Sequence, residues 1–276
     1  MAKNISPLMA HESEVHGLMA WSVAPTRILF YLSLVIAIQQ FVFGIISLLL
    51  RKNILMGSWQ LALSVAFIFM AWQVALFSKQ SKNYVASEKG NLLDKALIHL
   101  GGFWTTYQMA LWFSVAPLLL FLVRSFFGLD YQEISFKNYL ALPAVIVTLV
   151  LILALIKDMR IPCTEKTLSQ SAEAFARRNL NRSRTLTFFS IGIGLLWIWA
   201  YMGDALINTS LDKIAVAISG AAYLLIGASV GFVWRATREI QRNPSPIYFE
   251  RTMEKINFFW LCACVGFVII LIGNFC

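Results

Sequence analysis

Seven stretches of this chain, at about 28–50, 56–77, 101–123, 138–156, 186–203, 213–234 and 256–275, are apolar over the length of a membrane-crossing helix. None carries Asp, Glu, Lys or Arg in its central turns. A hydrocarbon core about 30 Å thick takes roughly 20 such residues in a helix. In lipid only helices and closed barrels keep every backbone polar group satisfied. The expected fold is therefore an all-α integral membrane protein with seven transmembrane helices. Composition agrees: 59% of the residues are hydrophobic and 13% charged, against about 25% charged in soluble domains.

Residues 1–27 are polar or mixed and read as an N-terminal interfacial segment; 28–276 read as a single polytopic membrane domain. A secretory signal would be a short apolar stretch with a small-residue cleavage site, so the first full-length span is expected to stay in the membrane.

Basic residues set the orientation. The N-terminus and the loops after the second, fourth and sixth spans hold 18 of the 23 Lys and Arg. The other loops hold Arg51, Lys52, Arg124, Lys137 and Lys213. Cytoplasmic loops are the basic ones, so the N-terminus is expected inside. The formal charge of +9 follows from this rule and from contact with anionic headgroups. With no nucleic-acid motif present, nucleic acid is excluded as a partner.

After the first helix the chain divides into three hairpins, 56–123, 138–203 and 213–275, each with an amphipathic cytoplasmic segment. Leu92, Leu93, Ala96, Leu97 and Leu100 share one helical face, as an interfacial helix would, and a bend is expected at Gly101-Gly102. A second stripe runs through Leu168, Ala172, Phe175, Ala176 and Asn179. The sixth span is expected to continue to Arg242 and stop at Asn243-Pro244-Ser245-Pro246, with Ser245 as N-cap and Pro246 in the first helical position. Leu8 to Trp21 is expected to lie along the membrane surface.

Catalytic and cofactor signatures are missing. His11 and His16 flank Glu12 and Glu14, but five residues on a helix separate the two imidazoles by about 140°, so they do not share a metal. His99 is the remaining histidine and no span contains one, which disfavours haem. Cys163, Cys262, Cys264 and Cys276 lack the spacing of a zinc or iron–sulfur framework. No cofactor, metal or catalytic residue is expected. Intramembrane charges mark proton and ion paths, and their absence argues against a proton-driven pump.

The remaining polar content is amide and hydroxyl. Gln39, Gln40, Gln60, Gln73, Thr105 and Gln108 are candidate pore-lining residues, or else make interhelical hydrogen bonds worth about 0.6–2 kcal/mol each. Ser219, Gly220, Gly227 and Gly231 form a small-residue face for close helix packing. Arg177, Arg178, Arg182, Arg184, Arg235, Arg238 and Arg242 are candidate contacts for anionic lipid or a partner. Trp21, Trp59, Trp104, Trp197, Trp199, Tyr107 and Tyr201 read as interfacial anchors, and Pro117 and Pro143 as span kinks.

The leading expectation is a non-enzymatic multi-pass subunit of a larger membrane complex or homo-oligomer in a bacterial inner membrane, an organellar inner membrane being the alternative. The second is a channel or passive transporter lined by uncharged polar residues. The third is an inner-face enzyme acting on lipid through His11, His16 or His99.

Overall fold

The computed structural model describes residues 7–50, 54–87, 89–127, 167–202 and 210–273. Among them the chain forms six helices and no strand: α1 (Pro7–Leu49), α2 (Ile54–Ser87), α3 (Gly90–Phe127), α4 (Leu168–Met202), α5 (Ser210–Arg242) and α6 (Pro246–Gly273). The expected span at 138–156, with Pro143 and Cys163, lies outside the described residues, as do Cys276 and the side chains of His11, Pro117 and Tyr201.

Four helical segments are long and apolar enough to cross a membrane: Ser13–Leu49, Gly57–Ser87, Ala217–Arg242 and Pro246–Gly273. On α1, Ile28, Tyr31, Val35, Ile38 and Val42 recur every three or four residues and are exposed, whereas Leu29, Ser33, Ile36 and Gln40 turn inward and are buried. So continuous an exposed apolar stripe would be a liability in water and is what lipid tails solvate.

The segments expected on the cytoplasmic side continue the long helices among the described residues. The stretch expected on the surface continues α1 without a break, because its own apolar stripe packs into the bundle. Val15 and Met19 are fully buried, Val85 O on α2 accepts from His16 Nε2 at 2.8 Å, and Leu18 O accepts from Asn257 Nδ2 on α6 at 2.9 Å. Helix α3 likewise continues without a break through Gly101-Gly102, and the stripe from Leu168 to Asn179 is the buried face of α4. A capping box opens α4: Thr167 N donates to Gln170 Oε1 at 3.1 Å and Gln170 N donates to Thr167 Oγ1 at 3.4 Å, satisfying two end donors reciprocally. Helix α5 ends at Arg242, and α6 starts at Pro246 with Phe249 N donating to Ser245 O at 3.2 Å.

The six helices close into a ring in chain order, α6 packing on α1 and α3 on α4. Consecutive helices within α1–α3 and within α4–α6 are antiparallel. Ser64 on α2 meets Ala37, and Val85 meets His16; Gly220 on α5 meets Gly194, and Gly231 meets Thr187. The two joints between these triplets are instead parallel. Trp104 and Trp112 of α3 lie against Phe175 and Phe189 of α4, and Asn257 and Cys264 of α6 bond to Leu18 and Pro25 of α1. The grouping is thus two three-helix halves rather than a lone helix followed by three hairpins.

Some positions of the two halves are related by nearly constant offsets. A shift of 156 carries Ala66, Val74, Phe103 and Trp104 onto Ala222, Val230, Phe259 and Trp260, and a shift of 157 carries Arg27, Leu29, Ser33 and Ile36 onto Arg184, Leu186, Ser190 and Ile193. Paired positions share local roles. Thr26 Oγ1 donates to Ser22 O at 2.7 Å and Ser183 Oγ to Asn179 O at 2.8 Å; Ser81 Oγ donates to Phe77 O at 2.9 Å and Thr237 Oγ1 to Val233 O at 2.7 Å. Where Ser64 Oγ donates to Ala37 O at 2.8 Å, the paired Gly220 and Gly194 bring their backbones together. A methyl group on Gly194 would stand 2.9 Å from Gly220 O.

That contact predicts a mutational contrast. In Gly220→Ala the new carbon would lie 2.9 Å from Ile198 Cγ1 and 3.0 Å from Gly194 O, so α4 and α5 must separate, at a cost of about 1–3 kcal/mol. At Gly192 a methyl group meets nothing within 4 Å. Thermal unfolding in detergent is expected to lose several degrees for Gly220→Ala and none for Gly192→Ala.

Candidate functional site

The polar positions singled out in the sequence lie at several levels of the bundle. Gln39 and Gln40 are buried on α1. Gln60, in the first two turns of α2, accepts from Ser47 Oγ at 2.8 Å. Gln73 is thirteen residues further along α2, about 20 Å away at the α-helical rise. Thr105 Oγ1 donates to Gly101 O at 3.1 Å, a bond within its own helix, and Gln108 is half-buried. Gly227 and Gly231 face α4, where methyl groups on them would meet Ser190, Ile191 and Thr187, and Ser219 is half-buried beside Gly220.

Aromatic rings fill the centre of the ring of helices. Phe103 and Phe259, paired by the repeat, face each other across the middle at 5.8 Å between centroids. Around them stand Trp260, 5.1 Å from Phe103, and Trp104, 6.4 Å from Phe259. Phe77 on α2 closes on Trp260 at 5.2 Å and Phe175 on α4 closes on Trp104 at 6.1 Å. Trp104 and Tyr107, expected as interfacial anchors, are buried in this cluster; Trp21 and Trp199 are exposed. Helix continuity explains the difference, because α3 begins at Gly90 and brings Trp104 well inside the bundle.

A polar layer joins the cluster at its basic end, seated on Gly101 and Gly102. Gln73 rests on Gly102, where a methyl group would stand 2.6 Å from Gln73 Oε1. On the next face Asn179 Oδ1 and Arg182 Nη1 press on Gly101, at 2.8 and 2.9 Å from where its Cβ would be. Gln73 Oε1 accepts from His99 Nδ1 at 3.0 Å. The glycines therefore serve close approach. Burial holds His99 well below its ordinary value, at about 4, because an imidazolium loses hydration there; His99 is neutral at pH 7.

The cations occupy the same end. Arg184, Arg235, Arg238 and Arg242 are exposed, Arg178 and Arg182 half-buried, and Arg177 pairs with Glu173 at 2.6 Å one helical turn away. Exposed pairs of this kind contribute little. Among the described residues no group of His, Cys, Asp and Glu is arranged to hold a metal.

What sequence reasoning missed is the axis itself. The recoverable signal was the Phe-Trp dipeptide, present at 103–104 and again at 259–260. Comparison with known protein families, with curated proteins and with solved structures finds no match.

The His99 environment fixes a pH dependence. Between pH 6.5 and about 4 the unfolded chain binds more protons than the folded one, so the contribution of His99 is complete above 6.5 and is lost as pH falls through that window. The difference in unfolding midpoint between the parent and His99→Gln is expected to be constant from pH 8 to 7 and to shrink between pH 6.5 and 4.5.

Proposed function

We propose that the chain is a seven-span protein of a bacterial cytoplasmic membrane, or of an organellar inner membrane, with its N-terminus on the cytoplasmic side, and that it acts as a passive carrier of an uncharged solute. The observation that carries this reading is the repetition of one three-helix unit in parallel, with the two copies meeting across a central axis. Transporters built from parallel repeats are related by an axis along the membrane normal, and their substrate site lies at the repeat interface. Parallel neighbours α3 and α4 need an odd number of crossings between Phe127 and Leu168, which one span at 138–156 supplies. The positive-inside rule applied to the basic end supports the orientation.

The solute is uncharged because no span carries an ionisable pair to receive a charge or couple a proton. A carrier suits the geometry better than an open channel, since the axis is aromatic and the glutamines sit at helix seams.

The subunit reading stands second, favoured by the basic end. Arg27, Lys79, Lys82, Lys95, Arg177, Arg184, Arg235, Arg238, Arg242, Arg251 and Lys255 are exposed there on all six helices, a collar suited to anionic headgroups or an acidic partner.

Proteoliposomes challenged with glycerol, urea and nicotinamide separate the two. Stopped-flow light scattering is expected to show faster equilibration of at least one solute than in empty vesicles. Rates equal to empty vesicles for all three, together with stoichiometric partner proteins after gentle detergent extraction, would replace the carrier reading with the subunit.

A further inference from the structure

We infer that the two Phe-Trp pairs on the repeat axis form a binding site for a planar, uncharged solute bearing both a hydrogen-bond donor and an acceptor. The inference begins with polar groups that the fold orients and then leaves unused. Trp104 and Trp260 are fully buried, and neither indole Nε1–H meets an acceptor among the described residues. Burying a donor unmet costs about 1–3 kcal/mol, so two such donors at repeat-equivalent positions call for an explanation.

Three amides show the same division of labour. Gln73 is fixed through Oε1 by His99 and leaves Nε2 unmet. Asn179 is fixed through Nδ2 on Phe175 O at 3.2 Å and leaves Oδ1 unmet. Asn257 is fixed through Nδ2 on Leu18 O and leaves Oδ1 unmet. In each case one end of the amide is tied to the scaffold. Each amide also lies within about one helical turn of the cluster: Gln73 precedes Phe77, Asn179 follows Phe175 and Asn257 precedes Trp260.

These groups define the ligand. Three donor groups and two acceptors match a solute that offers both functions, and the rings of Phe77, Phe103, Phe175 and Phe259 offer flat apolar faces. Sites of this composition, mostly aromatic with a few fixed polar groups, are how proteins hold small molecules. The two halves differ where discrimination is needed, since Gln73, Asn179 and Asn257 pair with Ser229, Ser22 and Gly101. A ligand would therefore part Phe103 and Phe259, whose rings meet at 5.8 Å between centroids, and then stand between like aromatic walls with unequal polar rims.

The site serves the carrier reading and rests on it for its use, but binding and flux are measured separately. The full-length protein in lipid nanodiscs is exposed to hydroxyl radicals, with labelling of Trp104 and Trp260 read by mass spectrometry against exposed Trp72 and Trp199. Nicotinamide, a planar neutral amide, is the probe, and nicotinate is its charged counterpart. Both indoles are fully buried with the rings closed, so their labelling is expected as the rings part to admit water or solute, with nicotinamide reducing both together, saturably and several-fold, and nicotinate reducing neither. Trp104→Phe and Trp260→Phe keep an aromatic ring and lose the donor. Each is expected to raise the half-saturating nicotinamide concentration by about tenfold, while Trp199→Phe leaves it unchanged. Silent tryptophans, labelling that nicotinamide does not alter, or protection of only one of the pair would overturn the site. Protection without nicotinamide flux would uphold the site and remove the carrier reading; flux without protection would do the reverse.

Discussion

In lipid, apolar side chains gain nothing by leaving one another, so hydrophobic burial cannot decide which helix packs on which. That choice falls to close backbone approach and to side chains that bond a neighbouring helix. This bundle depends on both. Gly194 and Gly220 bring α4 and α5 into backbone contact, and Ser64 binds α2 to the carbonyl of Ala37 on α1. The joints between halves are made by Asn257 reaching the Leu18 carbonyl and by Asn179 and Arg182 lying on Gly101. Each contact needs one small partner, and this places glycine, alanine and serine where they stand.

Once those seams are fixed, repetition follows in three dimensions even where residue identity has gone. Ser64 with Ala37 and Gly220 with Gly194 share only small size, yet each sets the spacing of its hairpin. On the axis the identity is a consecutive pair, Phe103-Trp104 and Phe259-Trp260. A surface position tolerates many residues. An aromatic ring facing its own repeat mate at 5.8 Å tolerates few, because a change in one copy must be absorbed by the other.

The helices themselves were legible from hydropathy, because a run of about 20 apolar residues has few other uses. Their true extent was not. The stretches before Arg27 and before Leu186 mix charge with apolar residues, which is the pattern of a surface helix; whether Val15 or Phe175 meets lipid headgroups or another helix is decided by partners distant in sequence. Trp104 was misread for the same reason, a tryptophan near a span end being an anchor only when that end is at the interface. The repeat escaped notice because the hairpin division cuts across it, placing α2 with α3 while α1 stands alone. Gly101-Gly102 read as a bend, since glycine permits bends; that it makes room for Gln73 and Asn179 required knowing who sits opposite.

The absence of charge from the span centres constrains how two such halves work together. Ion pairs across a repeat interface would hold it in one geometry, since breaking a buried pair costs about 3–5 kcal/mol. Here the joint includes ring contacts and the Asn257 hydrogen bond, each worth about 1 kcal/mol, together with the Arg182 guanidinium lying on Gly101. The tight backbone contacts lie within the halves, at Gly44 with Gly57 and Gly194 with Gly220. Close backbone contacts thus hold each half together, while side-chain contacts hold the halves to one another.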